Sequence, residues 1–243
     1  MDTIKIESKG VKIIAHRGLS GIERENTCAA FVAAANRSYF GIETDIHTTK
    51  DGKFVIIHDE TTTKVSQGRY NINVEENDYA AVENLVLPDK DNTTIRKDIR
   101  IPLLKEYIKI CKKYDKICVL EIKNLFAESD LERVVEEIKE EDYLENVIFI
   151  SFVIENCICL RKLLPESTVQ FLLNEKDVAP EILQILCENN LDLDINHVAL
   201  DKEKVDMLHS KGIKVNCWTC DDKDRAEKLV EMGVDFITTN ILE

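Results

Sequence analysis

Three short stretches of the 243-residue chain hold the residue types that do chemistry: His16-Arg17-Gly18, Glu43-Thr44-Asp45 and Glu121-Ile122-Lys123. Each closes an apolar, β-like run (11–15, 39–42 and 117–120), and a fourth run, 54–57, closes on His58-Asp59. Ionisable groups at the end of a hydrophobic strand are costly to bury unless they pair with each other, with a metal or with a substrate charge. Glu43 and Asp45 lie two residues apart, so in a strand both side chains leave the same face, and Glu121 and Lys123 repeat that geometry. Three carboxylates converging at one place repel unless a cation binds them. A hard divalent ion with oxygen ligands, Mg²⁺ or Ca²⁺, is the natural solution. No histidine pair or thiol set points to zinc. His16 and His58, with an ordinary imidazole pKa of about 6.5, can supply one general base and one general acid near neutral pH. Arg17 and Lys123 add fixed positive charge, the first suited to bidentate phosphate recognition and the second a point charge. Acid–base pair, cations and metal together point to phosphoryl transfer, with developing oxyanion charge spread over Arg17, Lys123 and the ion.

Blander readings of the same residues account for less. A surface salt bridge to Lys50 or Lys105 would suit one of the acids, not all three. A lysine ending a strand can form a Schiff base, as in aldolases, but Glu121 on the same face keeps Lys123 charged and opposes that role. His47 follows Asp45 by two residues and shares its face, as a partner of the site or a substrate contact. His197 ends another strand candidate, and His209 sits on a helix as a surface residue. The eight cysteines read as reduced thiols, with Cys28, Cys111, Cys118 and Cys187 packed as small hydrophobes. Cys217-Trp218-Thr219-Cys220 has redox-motif spacing but closes a strand, and Cys157 and Cys159 point in different helical directions.

These residues need a scaffold that gathers strand ends. Helical patterns at 28–37, 103–114, 129–141, 154–164, 180–189, 202–211 and 223–232 alternate with strand-like runs. Thr27 and Ser129 read as N-caps, and Gly212 and Gly233 as helix stops. Further strands are expected at 147–151, 168–173, 193–196, 213–217 and 236–239. This alternation, over a length near that of an ordinary single-domain barrel, predicts a closed (β/α)8 barrel spanning 1–243. No Gly-x-Gly-x-x-Gly turn follows the first strand, which weakens a dinucleotide-binding fold. Two places break the pattern. Asp51-Gly52 is a hairpin signal that sets Thr44 or Asp45 roughly opposite His58, so one of the nine strand candidates is an addition to the wall. Residues 60–100 are polar and turn-rich, with a short helix expected at 78–87. The hairpin and this segment form an insertion, 47–100, of the kind that shapes a site.

Composition bounds the partners. A hydrophobic share of 44% and a charged share of 32% describe a globular chain with a highly charged surface. A net charge of −14 argues against nucleic acid and against stable contact with anionic membrane. It leaves room for a small anionic substrate beside a bound cation. The first residues lack the apolar core of a secretory signal, and no run approaches the ~20 residues of a membrane helix, so a cytoplasmic location is expected.

Taken as they stand, Ala15-His16-Arg17-Gly18, Glu25-Asn26-Thr27, Gly41-Ile42-Glu43-Thr44-Asp45-Ile46-His47, Thr49-Lys50-Asp51-Gly52 and Ile57-His58-Asp59-Glu60 resemble the glycerophosphodiester phosphodiesterase family. Glu121-Ile122-Lys123, Trp218-Thr219 and Gly233-Val234-Asp235-Phe236-Ile237-Thr238-Thr239 continue the likeness in the family's order along nearly the whole chain. The resemblance implies a TIM-type barrel with a small inserted subdomain after the second barrel strand. It implies hydrolysis of glycerophosphodiesters, such as glycerophosphocholine or glycerophosphoethanolamine, to glycerol 3-phosphate and an alcohol. Carried over by position, Glu43, Asp45 and Glu121 match metal ligands, His16 and His58 the acid–base pair, and Arg17 and Lys123 the phosphate contacts. Phe152 and Trp218 match apolar walls beside the glycerol end. Two departures bear on substrate preference. Arg24 stands where the family often has proline, which adds a charge near the site, and Cys220-Asp221 replaces Val-Asn, which alters polarity at the rim. Lysophospholipase-D-like hydrolysis of a lipid diester and a non-catalytic phosphate-binding barrel are the alternatives.

Overall fold

Residues 2–175 and 177–243 are described in the computed structural model. Among them run strands β1 (Lys12–Ala15), β2 (Gly41–Thr48), β3 (Phe54–Ile56), β4 (Ile117–Ile122), β5 (Val147–Ser151), β6 (Thr168–Leu173), β7 (Asp192–Asn196), β8 (Val215–Trp218) and β9 (Phe236–Thr239). Helices α1 (Cys28–Ala35), α2 (Leu104–Lys113), α3 (Glu128–Glu140), α4 (Ile154–Leu163), α5 (Pro180–Glu188), α6 (Lys202–Ser210) and α7 (Lys223–Met232) fall between them. All strands but β3 are parallel, in the order β1-β9-β8-β7-β6-β5-β4-β2, and pairing of Ile14 with Gly41 and Ala15 with Ile42 closes the ring. The expected (β/α)8 barrel is the architecture.

Burial explains why the strands read as continuous apolar runs: parallel barrel strands are covered on both faces. Ile42, Ile46, Leu120 and Ile122 face outward into the layer shared with the helices. Ile14, Val119, Ile148, Ile150, Leu172 and Phe236 fill the interior. Tyr107 of α2 is fully buried; its hydroxyl donates to the Ile42 carbonyl (2.6 Å) and accepts from the Val119 N–H (3.0 Å), tying β2 to β4 just below the acidic residues.

The strand outside the wall is β3, which runs antiparallel to β2 with Ile46 opposite Ile56, His47 opposite Val55 and Thr48 opposite Phe54. The Ile57 N–H continues the ladder to the Asp45 carbonyl at 3.2 Å. That register sets His58 opposite Thr44. From there to α2 the chain buries Val55, Ile57, Val65, Val74, Val82, Leu87, Ile99 and Ile101 in a small cluster of their own.

Three local expectations are corrected. Ser129 does not cap α3; Ala127 holds that position without a side-chain bond, and Glu128 and Asp130 in the first turn supply negative charge to the helix N-terminus instead. The helix expected at 78–87 is one 3-10 turn, Tyr79–Ala81, because Val82 and Leu87 are drawn into the small cluster rather than onto one helical stripe. Cys187 is exposed rather than packed, on the outer side of α5 away from buried Leu186. All eight cysteines are free. Among the described residues no helix is long and apolar enough to cross a membrane.

Candidate active site

The turn after β1 is shaped by a backbone that few side chains tolerate. Arg17 has φ 52°, in the left-handed region, and this rotates its N–H onto Glu43 Oε2 at 2.8 Å. The same turn sends its guanidinium to Glu25 Oε1 (2.9 Å), with Nε 3.5 Å from Asp45 Oδ2. Gly18 follows at φ 76°, where a Cβ would stand 2.7 Å from the Ala30 backbone, so the turn lies directly against α1. Each residue of Glu25-Asn26-Thr27 has its own task. Glu25 holds Arg17; Asn26 donates to Asp45 Oδ2 (2.7 Å) and accepts from Thr44 Oγ1 (2.8 Å); Thr27 caps α1 through the Ala30 N–H (3.2 Å).

Adjacent strands β2 and β4 pair Asp45 with Glu121, and Glu43 leaves the same face one step below. One carboxylate oxygen from each of Glu43, Asp45 and Glu121 lies within 4.8 Å of the others, and all three residues are buried. Lys123 Nζ is 2.7 Å from Glu121 Oε1 and 3.4 Å from Asp45 Oδ1. These are ion-pair contacts: neither oxygen receives a hydrogen bond of acceptable geometry. Burial, reinforced by the neighbouring Asp45 charge, pushes Glu121 up to about 8 and Glu43 well above the carboxylate range. Asp45 would also rise through burial, but Arg17, Lys123 and His58 hold it far below its ordinary value. Three hard oxygen donors at this spacing, two of them driven to hold protons, fit a divalent cation such as Mg²⁺ or Ca²⁺.

The two imidazoles are oriented differently. His16 Nδ1 is 2.8 Å from Asn240 Oδ1, which also accepts from Ser20 Oγ at 2.6 Å. Asp221 accepts from the Asn240 Nδ2 (2.6 Å) and backbone N–H (2.7 Å), fixing which way the amide faces. His16 Nδ1 therefore carries the proton. Its Nε2, 3.9 Å from Glu43 Oε2, keeps a lone pair. Burial and then Arg17 push His16 down to about 4. His58 is also lowered, first by burial, but its Nδ1 meets the Asp59 carboxylate at 2.5 Å. His47 is a partner of the site rather than a substrate contact: its Nε2 is 3.1 Å from the His58 carbonyl and its Nδ1 2.7 Å from Glu75 Oε1. His197 lies in a turn after β7, and His209 is an exposed partner of Asp235 (2.9 Å).

His16, Arg17, Glu43, His58 and Glu121 line one side of a cavity of about 420 Å³, counting its open mouth. Asp45 and Lys123 are packed behind them. Phe152 and Trp218 form the other side, their rings edge to face with centroids 5.5 Å apart. The structure thus brings every residue expected of the site to one barrel end. Neither sequence departure lines the cavity. Arg24 donates to the carbonyls of Pro88 (2.9 Å) and Asp89 (2.5 Å) and to Asn92 Oδ1 (2.5 Å), pinning residues 88–92 instead of charging the cavity. Asp221 is spent on Asn240. Asn240 and Asp194 are the residues that sequence reasoning passed over, and Asn26 enters it only within its motif; for Asp194 the signal was its spacing of two from Asp192 in Leu191-Asp192-Leu193-Asp194-Ile195.

The model of the glycerophosphoryl diester phosphodiesterase family matches residues 16–243. A glycerophosphodiester phosphodiesterase of Caldanaerobacter subterraneus subsp. tengcongensis is 30% identical over 230 residues, 94% of this chain and 93% of its own length. Another from Bacillus altitudinis is 27% identical over 235 residues, 94% of each chain. Among solved structures, a glycerophosphodiester phosphodiesterase from Parabacteroides distasonis aligns with TM-score 0.78 at 25% identity, covering 99% of this chain and 94% of that one. An Oleispira antarctica phosphodiesterase in complex with the product sn-glycerol-3-phosphate shares the fold at TM-score 0.79 and 23% identity, covering 97% and 95%.

Two outcomes follow from the geometry. Without a divalent ion, folding keeps protons on Glu43 and Glu121 that the unfolded chain releases near the ordinary value of 4.5, whereas Glu121 holds its proton to about 8. Below about 6.5 the lowered His16 works in the opposite direction, because the unfolded chain then binds the extra proton. Between pH 6.5 and 8 the cation-free protein should lose stability as pH rises, by up to about 1.4 kcal/mol per pH unit for each carboxylate that stays protonated. Urea titrations in EDTA should show this slope, and excess Mg²⁺ or Ca²⁺ should reduce it by the share of Glu43 and Glu121, leaving that of the buried Asp194 carboxyl. Asn240→Ala should leave the fold intact and lower turnover by about 10- to 100-fold, since His16 loses the partner that fixes its tautomer; steady-state kinetics with a thermal melt checks both.

Proposed function

Because the chain belongs to the glycerophosphoryl diester phosphodiesterase family and is a phosphoric diester hydrolase, we propose that it cleaves small glycerophosphodiesters. Glycerophosphocholine and glycerophosphoethanolamine are the substrates of this reading, glycerol 3-phosphate and the head-group alcohol its products. The observation that supports it most is that two imidazoles, Arg17, Glu43 and Glu121 line one cavity, with Asp45 and Lys123 in contact with that acidic cluster behind it. Glu43, Asp45 and Glu121 would hold one Mg²⁺ or Ca²⁺, which when bound neutralises phosphoryl oxygen charge and makes phosphorus more electrophilic.

The chain's own groups supply the rest. Arg17 and Lys123 bind the phosphoryl oxygens and draw off charge as it develops. His16, with Nε2 unprotonated, accepts the proton of the nucleophile, which is water or the glycerol 2-hydroxyl by way of a cyclic phosphate. His58, backed by Asp59, gives a proton to the oxygen of the departing alcohol. Phe152 and Trp218 flank the glycerol carbons and exclude water. The whole of 1–243 acts as one barrel unit, with 47–100 inserted to deliver His58. Its unpaired thiols suit a reducing cytoplasm.

Glycerol 3-phosphate release from either diester should vanish in EDTA, return with Mg²⁺ or Ca²⁺, and fall at least 100-fold in His16→Ala and His58→Ala. Turnover that persists in EDTA or in both variants would refute the reading. A lysophospholipid processed faster than its deacylated counterpart would favour the lipid alternative, to which exposed Leu125 and Phe152 after β4 and β5 lend some support.

A further inference from the structure

One carboxyl in the cavity has no part in the chemistry above. Asp194 is 1% exposed, and its Oδ1 is buried without a hydrogen-bond partner among the described residues. It lines the same cavity as His16, Glu43 and Glu121. Around the closed ring, β7 is four strands from β2 in either direction, so Asp194 stands on the wall opposite Glu43 and Asp45.

The surroundings give Asp194 nothing to bond. Its register partners are Leu172 on β6 and Asn216 on β8, neither of which bonds its side chain, and the Trp218 indole N–H takes its backbone carbonyl (3.3 Å). The neighbouring polar groups inside the barrel turn elsewhere: Asn216 donates to Gln170 Oε1 (3.0 Å) and accepts from Thr238 Oγ1 (3.4 Å), while Gln170 Nε2 is itself left without a partner among the described residues. Burial, with the Glu121 charge adding to it, pushes the Asp194 carboxyl well above its ordinary range, so it can donate as well as accept. A buried, orphaned polar group aimed into a cavity is costly unless a ligand completes it.

We propose that Asp194 selects the glycerol end of the substrate by hydrogen-bonding its terminal hydroxyl, the one farthest from phosphorus. This deepens the phosphodiesterase reading and rests on it. The phosphoryl group belongs with Arg17, Lys123 and the acidic cluster on the β2–β4 wall. Three carbons then cross the cavity past Phe152 and Trp218, and the far hydroxyl meets β7. Selectivity on this account is for the polyol, while the departing alcohol lies outside Asp194's reach.

The test compares sn-glycero-3-phosphocholine with 2-hydroxypropyl phosphocholine, which keeps the hydroxyl beside the phosphate-bearing carbon and lacks the terminal one. Wild-type kcat/KM should favour the glycerol diester by about 100-fold or more, because a site built to bond a hydroxyl rejects the analogue without it. Asp194→Leu, similar in shape but apolar, should bring the ratio to within about threefold of unity by losing activity on the glycerol diester alone. Asp194→Asn should restore much of the preference. Equal wild-type rates on the two diesters, a comparison that needs no variant, would overturn the proposal and leave the phosphodiesterase reading intact. Equal losses on both substrates in Asp194→Leu would do the same. No hydrolysis of either diester by the wild-type protein with Mg²⁺ or Ca²⁺ would overturn both.

Discussion

Three carboxylates forced together inside a protein repel one another, and the barrel end is arranged around that repulsion. Glu43, Asp45 and Glu121 meet because β2 and β4 are neighbours in parallel register and because strand alternation sends residues two apart to one face. Arg17 and Lys123 answer part of the charge, and they do so unequally. Asp45 receives both cations and stays ionised, while Glu43 and Glu121 are pushed towards their protonated forms. Such a cluster is poorly stabilised by the protein alone. It is a place prepared for a charge that comes from outside.

The surrounding backbone is committed to the same arrangement. Arg17 and Asn26 both adopt positive φ, with values of 52° and 56°, although neither is glycine. Those conformations cost energy and bring two donors, the Arg17 N–H and the Asn26 amide, onto Glu43 and Asp45. The Asp51-Gly52 hairpin does comparable work for His58, which reaches the cavity through strand register rather than through a long-range contact. On the opposite side Asp221 and Asn240 hold His16 by a different logic, an amide whose orientation is set by the carboxylate behind it. The two imidazoles thereby differ in partner: a neutral amide behind His16, a carboxylate behind His58.

The parts of this site that a linear chain displays are those with period two or a turn signal. Glu43 and Asp45, Glu121 and Lys123, and the His58 register could all be read from spacing, and the alternation of strands and helices was enough to specify the barrel. What escaped notice depends on contacts between distant elements. Asn240 and Asp221 are 19 residues apart and share no strand or helix. Asp194 sits inside the alternating stretch Leu191-Asp192-Leu193-Asp194-Ile195 rather than at the end of an apolar run, so attention to strand termini passed over it. Arg24 looked like a charge added to the site because it is close in sequence to Glu25, yet its guanidinium turns towards Pro88 and Asp89. The missing helix at 78–87 has the same cause: tertiary burial of Val82 and Leu87 outweighed local propensity.

The central claim is a divalent ion seated among three named carboxylates. Crystals grown with Mn²⁺ and measured at its absorption edge address it most directly. The account requires one anomalous peak with an oxygen from each of Glu43, Asp45 and Glu121 at about 2.0–2.6 Å, and Lys123 displaced from Glu121. A peak bound elsewhere, or none at saturating Mn²⁺ with Lys123 still paired to Glu121, would contradict it.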